Sequence, residues 1–133
     1  KKRYELFIKY CSQRHNNGQM QYMSIEEFEN FFHNNNNDTI IIDLIDSKRD
    51  LHGSMLLDIL EDGYSAVYSF FNPCSKKRGL GKNLILRSLE LLKLNNKNNL
   101  YLGYWVKDSN TMNYKSSFKG VELFINGEWR SRL

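Results

Sequence analysis

From Tyr4 the apolar positions Tyr4, Phe7, Ile8 and Cys11 fall at helical spacing, and the same stripe runs on into Arg14 and His15. A basic pair is therefore expected to end a buried helix face, with Gly18 closing that helical region. Ser24 followed by Glu27 forms a capping-box start for a second helix, whose Ile25, Phe28, Phe31 and Phe32 are expected to face the core. The run H-N-N-N-N-D from His33 to Asp38 breaks it, and N-N-K-N-N from Asn95 to Asn99 is a second polar tract; both read as loop.

The period then changes. Thr39 to Asp46 and Leu51 to Leu60 read as strands joined by S-K-R-D, most simply a hairpin. Tyr64 to Phe71 carries no charge, which predicts a central strand buried on both sides. Leu80 to Leu94 predicts an amphipathic helix with Leu84, Ile85, Leu89 and Leu92 inside and Asn83, Arg87, Glu90 and Lys93 outside. Leu100 to Val106 returns as a strand. A strand, a helix of this length and another strand imply a crossover and hence one parallel pair in an otherwise antiparallel sheet, an α/β (α+β) arrangement. In the tail, V-E-L-F-I, the turn Asn126-Gly127 and E-W-R form a hairpin signal.

At 133 residues the chain has room for one domain, and 41% hydrophobic with 14% aromatic residues is ample for its core. The net charge of +4 makes an acidic partner plausible without requiring one. Two distant cysteines, Cys11 and Cys74, suggest neither a zinc site nor a disulfide framework, so a reducing, cytoplasmic compartment is expected. No apolar run approaches the ~20 residues of a membrane span. The first residue is Lys1, which leads to the expectation of one domain cut from a longer polypeptide.

Several residues carry candidate chemistry. The turn Lys76-Lys77-Arg78-Gly79-Leu80-Gly81-Lys82 lies between a strand and a helix start, where glycines let backbone N–H groups approach an anion at the positive end of the helix dipole. A solvated tight turn is the equally weighted alternative. Neither G-x-G-x-x-G with a downstream acid nor G-K-[ST] is present, which leaves dinucleotide and Walker-type sites unsupported. Asp58, on the face of Leu56 and Leu60, is either a buried proton acceptor or a strand-end carboxylate paired with Arg14 or holding the E-D-G turn. Gly103, among Tyr101, Tyr104 and Trp105, marks a strand irregularity or a close ligand approach. Lys115 has the default reading of an exposed helix lysine. His15 and His33 lack companions at ligand spacing, so no metal site is expected.

Four segments together resemble one family: R-H-N-N-G-Q-M at Arg14 to Met20, D-G-Y-S-A-V-Y-S-F-F-N-P at Asp62 to Pro73, R-G-L-G at Arg78 to Gly81, and Y-L-G-Y-W-V with M-N-Y-K between Tyr101 and Lys115. They resemble the C-terminal domain of the aminoacyl-tRNA–protein transferases of the N-degron pathway, over about Tyr4 to Trp129. The resemblance implies a GNAT-like N-acetyltransferase fold with one splayed parallel strand pair. It also implies transfer of an aminoacyl group, Arg or Leu, from charged tRNA onto an N-terminal Asp or Glu of a protein, marking it for degradation. No cofactor is expected beyond that donor, and the protein is expected to be a monomer without membrane contact. The family's cysteine-rich N-terminal domain is expected to lie outside this chain. Gly79 stands where serine is usual, and Asn110-Thr111 precede Met112 where the family tends to have Cys or Ser and Lys.

On this reading Asp58 or Tyr68 orients the attacking amine, and backbone donors near Gly103 and Tyr104 stabilise the oxyanion. Arg14, aided by His15, and Lys115 select the acidic N-terminus. Lys76, Lys77, Arg78, Gly79, Gly81 and Lys82 meet the acceptor-end phosphates. Two other readings keep the fold: an acetyl-CoA-dependent N-acetyltransferase, and a non-catalytic RNA- or protein-binding module.

Overall fold

The computed structural model describes residues 1–14, 18–34, 36–75, 79–109 and 113–131. They divide into two compact units, Lys1–Tyr101 and Leu102–Leu133.

In the first unit, α1 (Lys2–Arg14) and α2 (Ile25–Phe32) precede β1 (Thr39–Ile45), β2 (Leu51–Ile59) and β3 (Gly63–Phe71), and α3 (Leu80–Leu94) leads to β4 (Asn99–Tyr101). The sheet order is β1-β2-β3-β4, antiparallel except for the last pair. α2 starts as expected: the Ser24 side chain accepts from the Glu27 N–H while the Glu27 carboxylate accepts from the Ser24 N–H. A tight β1–β2 turn is held by Asp46, whose Oδ1 accepts from the N–H groups of Lys48 and Asp50, each at 2.9 Å.

Successive residues of β2 point to opposite faces. On one face Leu56 joins Phe7, Phe28, Phe32 and Phe70, all at most 1% exposed, under α1 and α2. On the other, Met55 receives the Ser88 hydroxyl of α3 at 3.2 Å. Each fully buried phenylalanine contributes roughly 1.5–3 kcal/mol over its exposed state. One polar network sits within this packing: Arg3 donates to Asp43 at 2.6 Å, Asp43 accepts from the buried Ser54 hydroxyl at 2.5 Å, and Arg3 meets His33 Nε2 at 2.9 Å. His33 in turn pairs with Glu29 through Nδ1. Because Arg3 only donates, Nε2 accepts and Nδ1–H faces Glu29.

Four expectations need correction. Ile25 is 49% exposed and Leu89 37% exposed; the small Ser88, fully buried, takes the core position on α3 beside Leu84, Ile85 and Leu92. β3 is not buried on both sides, since Val67 is 41% exposed. The register explains it: Leu56 faces Tyr68 and Leu57 faces Ala66, which leaves Val67 as a bulge residue without a cross-strand partner. β4 is also shorter than the Leu100–Val106 strand expected. It pairs with β3 only at Gly63↔Asn99, Tyr64↔Leu100 and Ser65↔Tyr101.

The second unit holds an irregular stretch around Gly103 (φ 79°), a 3-10 turn at Asn113–Ser117, and the hairpin of β5 (Glu122–Ile125) and β6 (Glu128–Ser131). Asn126 and Gly127 both have positive φ, 51° and 82°, as the hairpin signal requires.

Candidate functional site

The sheet opens where two irregularities meet. Parallel pairing of β3 with β4 ends at Ser65↔Tyr101, and two residues later the Val67 bulge bends β3. Beyond Ser65, β3 pairs on only one side within this unit. The closed end of the fork is tied firmly. Asp62 Oδ2 accepts from the Tyr101 hydroxyl at 2.6 Å and from Asn99 Nδ2 at 3.2 Å; the Tyr101 contact lowers the Asp62 carboxyl and raises the Tyr101 phenol. Gly63 lies so close to the Asn99 carbonyl that a Cβ would sit 1.8 Å from its oxygen.

Past the open end of β3 lies a cleft of about 480 Å³ lined by Gln13 and Arg14 of α1, Phe71 to Pro73, Ser75, and Gly79 and Leu80 at the start of α3. The structure therefore brings together Arg14 and the glycine turn, which the sequence had treated as separate candidates. Arg14 is exposed and ends α1, where a cation is favoured by the helix dipole. Its guanidinium lies over the Phe71 ring at 5.0 Å and the Tyr10 ring at 5.7 Å. These aromatics hold the plane of the fork, and among the described residues no hydrogen bond engages its N–H donors, which suits them to an anion. The Tyr10–Arg14 spacing of four was readable in the sequence; the Phe71 contact was not. Gly79 caps α3 with φ 76°, a conformation that favours glycine. Gly81 is buried in the first turn, and Lys82 is exposed beside it. His15, Lys76, Lys77 and Arg78 lie outside the described residues.

Asp58 occupies the end of β2, opposite Thr39 and Ser65, and so beside the root of the fork. It is half-buried, and Asn37 Nδ2 lies 3.4 Å from its carboxylate. The expectation of a buried charge is corrected: the strand runs out there, and Leu60 is already 38% exposed. Tyr68 directs its hydroxyl at the buried Cys11 thiol, 3.7 Å away, and its ring contacts Phe7 and Phe31. Burial, then the Cys11 contact, pushes its phenol well up, so it stays protonated. Burial also raises the Cys11 thiol.

In the second unit Tyr104 is 91% exposed. Lys115 is not the exposed lysine of the default reading. It is half-buried, donates to the Leu102 carbonyl at 3.0 Å with the Tyr104 carbonyl at 3.5 Å, and is lowered by desolvation. Among the described residues no cluster of histidine, cysteine and carboxylates suits a metal ion, and no helix is long and apolar enough to cross a membrane.

Residues 2–125 match the family described as arginine-tRNA-protein transferase, C terminus. An aspartate/glutamate leucyltransferase of Nitrosococcus oceani is 40% identical over 126 residues, covering 95% of this chain and 53% of its own length. One from Acinetobacter baylyi is 39% identical over 127 residues, covering 96% of this chain and 46% of its own. The chain thus spans about half the length of the curated relatives it matches. Among solved structures, the PaiA N-acetyltransferase of Thermoplasma acidophilum in complex with coenzyme A superposes with a TM-score of 0.62 at 17% identity, over 96% of this chain and 87% of that one. At that identity the likeness establishes the GNAT-like fold alone.

Proposed function

The chain belongs to the family of the arginine-tRNA–protein transferase C terminus, and from that premise we propose that it is the transferase domain moving Leu or Arg from charged tRNA to the N-terminal Asp or Glu of a protein. The observation that carries the reading is the cleft at the open end of β3, which Arg14 and the Gly79 turn both line. A cation lining an open cleft supports the binding of an anionic substrate end, and the relatives' names suggest its class.

In the reaction the α-amine attacks the ester carbonyl carbon of the aminoacyl-tRNA. A C–N bond forms, the ester C–O bond breaks, the amine gives up a proton, and the released ribose oxygen takes one. The unperturbed amine has a pKa of roughly 7.7–8.0, so a modest acceptor suffices and positioning supplies most of the effect. Asp58, beside the fork root, is the acceptor and orienter of choice; Tyr68, protonated and turned to Cys11, packs in the core against Phe7 and Phe31. Backbone N–H groups at Gly103 to Trp105 stabilise the tetrahedral oxyanion.

Arg14, with His15 next in the chain, selects Asp or Glu, because a bound peptide covers the exposed guanidinium and Asn or Gln would then leave it without a counter-charge. Lys76, Lys77, Arg78 and Lys82 with the Gly79–Gly81 turn meet the acceptor-end phosphates, which makes binding weaken steeply with salt. The cellular consequence proposed is marking for degradation in the cytoplasm, with charged tRNA as the donor and no further cofactor.

The test incubates the full-length protein with tRNA charged with labelled Leu or Arg and a peptide beginning with Asp. Ribonuclease-sensitive transfer of either label supports the proposal. Transfer of an acetyl group from acetyl-CoA, with release of a thiol, would replace it with acetyltransferase activity; binding without any transfer would leave a recognition module.

A further inference from the structure

Lys115 was a candidate for gripping the acidic substrate, yet its ammonium faces protein carbonyls. Its Nζ lies 3.0 Å from the Leu102 oxygen and 3.5 Å from the Tyr104 oxygen, the carbonyls on either side of Gly103. A trans peptide is planar, with its C=O and the following N–H pointing in opposite directions. Turning the Leu102 and Tyr104 carbonyls toward the ammonium therefore turns the Gly103 and Trp105 N–H groups away from it. The Leu102–Trp105 segment belongs to no helix or strand, and no backbone hydrogen bond fixes either N–H among the described residues. Gly103 itself sits at φ 79°, where a side chain would be strained, and the Leu102–Gly103 and Tyr104–Trp105 peptide planes are the ones that the ammonium ties.

We infer that Lys115 is a positioning residue: it clamps the carbonyls flanking Gly103 so that the Gly103 and Trp105 N–H groups are presented on the opposite side as donors to the reaction's oxyanion. The inference rests on the transferase reading and changes the task of Lys115 within it. A short polar side chain could not reach both carbonyls, and a neutral one would lose the charge-assisted bonds. Half-burial of the ammonium keeps water from competing for the same oxygens.

The two tasks leave different kinetic marks. In the full-length protein, Lys115→Met is expected to lower kcat on the order of 10²-fold, the cost of disordering oxyanion donors. The KM for an Asp peptide and the preference for Asp over Asn should stay unchanged. Lys115→Arg, which still donates to both carbonyls, is expected to recover kcat to within roughly tenfold of wild type. A raised KM for the Asp peptide, or a lost Asp preference, in either variant would overturn the inference and return Lys115 to substrate recognition; unchanged kinetics in Lys115→Met would overturn it as well. If Lys115→Met does not fold, Lys115→Arg decides by the same split between KM and kcat. Amide 15N relaxation at Gly103 and Trp105 gives a readout independent of activity. Lower order parameters in Lys115→Met support the clamp and unchanged ones refute it, even if the wild type transfers neither Leu nor Arg and the transferase reading itself fails.

Discussion

Gly63→Ala tests the fork at its root. The added Cβ would lie 1.8 Å from the Asn99 carbonyl oxygen and 2.7 Å from its carbon, both backbone atoms that cannot swing aside as a side chain would. Reaching ordinary contact near 3.4 Å requires β4 to retreat by about 1.6 Å. Such a shift stretches the β3–β4 hydrogen bonds beyond useful length, and pairing there covers only Gly63 to Ser65. Losing those bonds at ~0.5–1.5 kcal/mol each, with overpacking strain of ~1–3 kcal/mol, outweighs the ~0.4–1 kcal/mol gained from a stiffer unfolded chain. A net loss of about 3 kcal/mol is expected, a fall in melting temperature of roughly 12 °C or more.

Gly53→Ala is the internal control. Its Cβ would meet Phe71 Cβ at 3.3 Å, only about 0.1 Å inside ordinary contact, and the Leu44 and Leu84 methyls at 3.4 Å, which can turn aside. A loss of about 1 kcal/mol or less follows. Urea and thermal unfolding of both variants provide the comparison. The reasoning fails if Gly63→Ala melts within about 4 °C of wild type, or if Gly53→Ala is the more damaging change.

Two further outcomes follow from single contacts. The His52 contact, then the Asp50 N–H, holds the Asp46 carboxyl down at about 2. Since the unfolded value is ~3.9, Asp46 stabilises the fold above about pH 4, and that contribution is lost as pH falls toward the folded value. Asp46→Asn should therefore melt below wild type at pH 6 and converge with it near pH 2, whereas a gap that stays constant with pH would contradict the assignment. Arg14→Ala in the full-length protein should reduce the preference for Asp over Asn peptides, measured as a ratio of kcat/KM, by roughly 10- to 100-fold. Phe71→Leu, which removes one stacking ring, should reduce it about threefold; full selectivity in both variants would remove Arg14 from the specificity site.

Local signals survived best. The α3 boundaries, the Ser24–Glu27 box and the Asn126-Gly127 turn are decided within a few residues, and each formed as the sequence predicts. The parallel pair was legible as well, because a strand, a helix and a strand leave few connections. What escaped depends on partners far along the chain. The Val67 bulge is defined by register against β2, and Arg3 meets Asp43 across 40 positions. Exposure of Val67 and the early end of β4 share one cause, the opening of the sheet, which a charge-free apolar run does not reveal. Lys115 looked like an exposed lysine because nothing local announces two carbonyls waiting for it.

The seat of the donor is the central claim, and amide hydrogen exchange of the full-length protein with a non-hydrolysable, amide-linked aminoacyl-tRNA measures it directly. Protection should appear at Phe71 to Ser75 and Gly79 to Lys82, and it should fade as salt is raised. Unchanged exchange in those two segments, with protection confined to other parts of the protein, would contradict the account.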